Sequence, residues 1–171
     1  MKLSTKQLTL CAVLTAMALA LSYLENFFPL SLAIPIPGIK LGLANIVTLS
    51  ALYALGPGQA LLILAARCLL GNLLGGNLMA LAFSLSGGLL ALGVTALLVR
   101  CSWLSLFGVS IAGAAAHNTG QVLAAMAVLS SRAPLAYLPP LLLCSLVTGA
   151  VTGAASTLLV HRVPDLAEKN A

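Results

Sequence analysis

The chain has 171 residues, 61% of them hydrophobic and only 6% charged, against about a quarter charged in an ordinary soluble domain. Such a chain cannot cover its own surface in water. The formal charge of +5 does not make it a nucleic-acid binder, because Lys and Arg stand singly, with no cluster to neutralise neighbouring phosphates.

A helix needs about twenty apolar residues to cross the hydrocarbon of a bilayer. Six stretches come close: Gln7 to Leu24, Leu41 to Leu55, Gly58 to Leu74, Leu78 to Val99, Leu104 to Leu129 and Tyr137 to Val160. The expected fold is therefore an all-α membrane protein, a bundle of about six transmembrane helices forming a single domain over residues 1–171.

Lys2 and Lys6 ahead of the first stretch resemble the start of a secretory signal, but its apolar run is too long and further spans follow. Small residues recur on it at Ala12, Ala16 and Ala20, and on the last stretch at Ser145, Gly149 and Gly153. Each stripe is either a seam inside the bundle or a docking face for another membrane subunit. Between the first two stretches, Pro29 to Gly38 is apolar but holds three prolines, so a regular helix is not expected there. It is either a lid over an outward-facing pocket or a tight external loop.

Six spans put both termini on one side. That side collects Lys2, Lys6, Arg100, Arg162 and Lys169, the other only Lys40 and Arg132. The positive-inside rule makes the richer side cytoplasmic, in the cell membrane. The tail from Pro164 to Ala171 is too short for a domain.

Ionisable groups inside a bilayer are costly and normally face the bundle interior. Arg67 falls in mid-span, where a guanidinium can hold an anionic ligand in a forked geometry. Glu25 at the end of the first stretch is the alternative, an internal ion-pair partner. On the fifth stretch, His117, Asn118 and Gln121 lie within AAAHNTGQ. They form either a ligand pocket or a set of bonds between helices. Asn45, Thr48, Asn72, Ser84 and Ser86 can converge on the same interior, and Gly42, Gly87 and Gly88 allow close approach.

Some chemistries are excluded. The four cysteines, Cys11, Cys68, Cys101 and Cys144, are scattered and indicate neither zinc nor a disulfide framework. With no phosphate loop the chain should not hydrolyse ATP. Prenyl transfer through magnesium needs several carboxylates, and the single aspartate is Asp165. The chain is therefore not expected to be an enzyme, and no cofactor or metal is expected.

The segments LSYLENFFPL, IPGIKLGLANIVTLSALY, LSGGLLAL and AHNTGQ together resemble the heptaprenyl diphosphate synthase component I family, also called the Gx transporter family, from about Ala12 to Leu159. That family is similar in size and helix count to the S components of energy-coupling factor transporters. The resemblance implies a subunit that captures a small molecule in the membrane and depends on a transmembrane coupling subunit and cytoplasmic ATPases. It implies docking through Ala12 and Ala16, with Ala20 extending the stripe, and a loop after the first helix that closes over the ligand. The positions it marks as substrate-binding are Glu25, Lys40, Asn45, Arg67, His117, Asn118 and Gln121, where Arg67 and Lys40 favour a ligand with a negative group. The prenyl-synthesis name implies the alternative, a non-catalytic membrane subunit or anchor of a polyprenyl diphosphate synthase.

Overall fold

The computed structural model describes residues 4–25, 42–75 and 78–168, without the side chains of 72, 74, 75 and 162–168. Lys40 and the Pro29–Gly38 segment lie outside the described residues, as do the side chain of Asn72 and those of the expected polar tail.

Six α-helices follow in order: α1 Thr5–Leu24, α2 Asn45–Leu55, α3 Pro57–Gly75, α4 Leu78–Leu98, α5 Leu106–Val128 and α6 Leu138–Glu168, with a short 3-10 helix at Ala133–Tyr137 before α6. The all-α bundle is thus as expected. Local chemistry sets several helix ends. Ser4 and Gln7 form a capping box at the start of α1, and the Ser105 hydroxyl accepts the Gly108 N–H at the start of α5. At the end of α5, Ser130 takes a left-handed φ of 48°, and Ser131 N–H reaches back to the Met126 carbonyl at 3.1 Å, closing a Schellman turn.

Two boundaries differ from the sequence reading. The helix of the second stretch begins at Asn45, not Leu41, and its 11 residues rise about 16 Å, half of a hydrocarbon core. The last helix continues past Val160 to Glu168, with Pro164 inside it.

Among the described residues, three helices are long and apolar enough to cross a membrane: Thr5–Leu24, Leu78–Leu98 and the Ala133–His161 stretch. The exterior has the matching chemistry, for Leu73, Leu78, Leu97, Leu143 and Leu158 stand widely exposed. The polar residues are turned inward: Thr15, Ser50, Thr95, Ser110, Ser145, Thr152 and Ser156 are buried. Several of these hydroxyls bond the carbonyl one turn back on their own helix, as Thr15 does to Cys11 at 2.7 Å, so they cost little in an apolar setting.

α5 is the hub. It shares its largest interfaces with α4 and α6, and small residues make both possible. A Cβ on Gly120 would stand 2.7 Å from the Ser86 carbonyl oxygen of α4, and one on Gly149 would stand 2.5 Å from Ile111 Cα of α5. The Ser145, Gly149 and Gly153 stripe is therefore an internal seam. On α1, Ala12, Ala16 and Ala20 are exposed, while Cys11, Leu14, Thr15 and Ala18 turn inward. The α1 stripe is not a seam within the bundle.

Candidate functional site

Asn45 of α2 meets Arg67 of α3 directly and lies near His117 of α5 across Gly42. Arg67 is 6% exposed, His117 3%, Asn118 3% and Gln121 1%, so none faces the apolar exterior. Asn45, the first residue of α2, accepts a hydrogen bond on Oδ1 from Arg67 Nη2 of α3 at 3.1 Å. Arg67 Nε is buried and has no hydrogen-bond partner among the described residues.

Two glycines let His117 sit where it does. Gly42 takes φ +86°, which other residues rarely adopt, and a Cβ there would lie 2.9 Å from Asn45 Nδ2 and 3.0 Å from His117 Cδ2. On the other side, a Cβ on Gly87 of α4 would lie 2.9 Å from His117 Nδ1 and 3.0 Å from Gln121 Cγ. The imidazole is thus clasped between the turn entering α2 and the middle of α4.

Glu25 and Arg67 have different partners. The Glu25 carboxylate, itself 6% exposed, accepts the Leu43 N–H, which ties the end of α1 to the turn before α2. The Arg67 fork turns to Asn45 instead. Asn118 is used between helices: its Nδ2 donates to the Leu141 carbonyl at 3.0 Å and the Ser145 hydroxyl at 2.8 Å, both on α6. Asn118 therefore pins α5 to α6, although it follows His117 directly in sequence.

Beside Asn45 lies a hollow formed between α2, α4, α5 and α6. Its polar lining comes from Asn45, Thr48, Thr95, Ser110 and Thr152, with Gly42, Gly88 and Gly113 giving it room. The space amounts to about 20 Å³, roughly what one water needs. Thr95 bonds Ala91 O at 2.7 Å and Thr152 bonds Thr148 O, so these hydroxyls offer the hollow their lone pairs. Asn45 and Thr48 were visible in the sequence. Thr95, Ser110 and Thr152 were not, because a Ser or Thr in an apolar helix looks the same whether it serves its own backbone or a cavity. Ser86 is of the first kind, bonding Ala82 O at 2.6 Å.

An apolar exterior, helices of membrane-crossing length and a buried polar cluster around one guanidinium define a membrane protein with a polar interior. Residues 14–159 match the family described as heptaprenyl diphosphate synthase component I. The match covers most of the chain, and the chain belongs to that family. Comparison with curated proteins and with solved structures finds no match.

Proposed function

We propose that the chain is the membrane-embedded, non-catalytic component of a polyprenyl diphosphate synthase, working with a separate catalytic subunit. The observation that carries this reading is the family match across residues 14–159. The chemistry agrees with it. Glu25, Asp165 and Glu168 are the whole acidic complement of the sequence, too few to hold the magnesium and diphosphate of prenyl transfer. The chain is then not the enzyme, and its contribution is a place in the bilayer, where polyprenyl chains partition. In this reading all six helices lie in the cell membrane with both termini cytoplasmic, as the distribution of Lys and Arg favours.

A second reading is supported by the cluster itself. A buried guanidinium is the kind of group that a substrate-capture subunit, energised by a coupling subunit and ATPases, would turn to its ligand. The likeness to S components of energy-coupling factor transporters rests on the sequence resemblance, and the exposed Ala12–Ala16 face of α1 is compatible with docking.

Purification of the full chain from its native membrane, with mass spectrometry of what accompanies it, separates the two. A co-purifying soluble prenyltransferase is the expected result. ATPases and a second membrane subunit in its place would overturn the synthase reading and leave capture for transport.

A further inference from the structure

We infer that the cluster of Arg67, Asn45 and His117 is a binding site for a phosphate or diphosphate group. This rests on the reading that the chain serves polyprenyl diphosphate synthesis, which makes that group, among oxyanions, the one to expect.

The physical case begins with Arg67. A guanidinium has five N–H donors and stays charged in proteins, and a buried charge is normally matched by an opposite one. Here the partner of Nη2 is the neutral amide of Asn45, and Nε has none among the described residues. Glu25, the one carboxylate of the sequence before Asp165, is engaged with the Leu43 N–H. A buried, charge-bearing donor without an acceptor is expensive, and an ion is among the standard reasons such a group exists.

The donor set also suits the ligand. A planar fork matches the oxygen spacing of a phosphate. His117 places an imidazole against Gly42, the residue that also lies against Asn45 Nδ2, the amide donor left free by the bond from Arg67 to Oδ1. Serving a phosphate requires Asn45 Oδ1 to give up Arg67, which exchanges a neutral acceptor for an anionic one. The neighbouring hollow of about 20 Å³ has room for one water-sized group, so a phosphate also requires the turn at Gly42 to move away from His117. Two sources offer the same chemistry: a prenyl diphosphate whose tail stays in the bilayer, or free diphosphate from water.

The test uses the full chain in neutral-lipid nanodiscs, titrated with farnesyl diphosphate, inorganic diphosphate and farnesol. Farnesyl diphosphate is expected to bind, and Arg67→Gln to weaken it about ten- to a hundredfold, the usual worth of one or two charged hydrogen bonds. Competition by inorganic diphosphate would identify the headgroup as sufficient, and failure to compete would assign the lipid-borne source. A second variant protects the test from misfolding: Asn45→Asp gives Arg67 an internal counter-ion, so the bundle is kept while the anion is repelled and binding is lost. Binding of neither diphosphate by the natural chain would overturn the inference, as would equal binding of farnesol or undiminished affinity in both variants. Because a catalytic subunit is recovered by co-purification whether or not the variants bind diphosphate, loss of the site and loss of the synthase reading show up in different measurements.

Discussion

Two helices carry small residues at four-residue spacing, and the bundle treats them in opposite ways. On α6, Gly149 and Gly153 lie against the backbone of α5 at Ile111 and Phe107, and Ser145 joins Asn118 in the same contact. On α1, Ala12, Ala16 and Ala20 look outward, and the helix meets its neighbours through Cys11, Leu14, Thr15 and Ala18. Small-residue spacing states how closely two helices can approach. Whether they do is decided by a partner with a complementary surface and a polar group to bond, and α5 provides both for α6.

The comparison breaks most severely at Gly149. Leu placed there pushes against Ile111 Cα, a backbone atom that cannot swing aside, and overpacking of this kind costs about 1–3 kcal/mol or more. Gly149→Leu is expected to lose the folded bundle, read as a collapse of the monodisperse peak in detergent chromatography. A single peak with an unchanged melting midpoint would mean that the α5–α6 seam is looser than described.

A smaller effect is expected at Asn118. Asn118→Leu removes both bonds to α6 and leaves the Ser145 hydroxyl with its own-helix bond to Leu141 at 2.8 Å. Interhelical hydrogen bonds in membranes average about 0.6 kcal/mol and reach about 1.7, so two should lower stability by about 1–2 kcal/mol in a reversible unfolding assay. Diphosphate binding should survive in this variant, since Asn118 holds α6 and not the Arg67 cluster. Loss of binding at full stability would place Asn118 among the ligand contacts.

The smallest effect on stability belongs to α1. Ala12→Leu with Ala16→Leu adds bulk to an exposed face and should shift stability by no more than about 0.5 kcal/mol. The same pair sharpens the docking question. If that face seats another subunit, recovery of the partner falls while the chain alone is unaffected, and unchanged recovery removes α1 from the interface.

Much of this architecture is legible from apolar runs and their breaks. Gly56-Pro57 between α2 and α3, for instance, marks the boundary that the helices observe. The inward turn of Arg67, His117 and Gln121 was also readable, because lipid leaves a charge or an amide nowhere else to go. The choice of partner was not. From the sequence, Glu25 was the one credible internal counter-ion for Arg67, yet the Glu25 carboxylate accepts from Leu43 and Arg67 donates to Asn45. Nor did the sequence separate Asn118, a bond between helices, from His117, a member of the cluster, since both stand in the same polar run, His117 to Thr119.

By itself, then, the sequence determined the solvent: a chain this poor in charge must be a helical bundle with its polar groups inside, whatever its contacts. Only the tertiary structure decided which polar groups meet. That depends on helix rotation and on distances of a few ångströms at places such as Gly42, Gly87 and Gly149, where a missing Cβ lets one element close on another, and residue type alone does not encode which neighbour arrives.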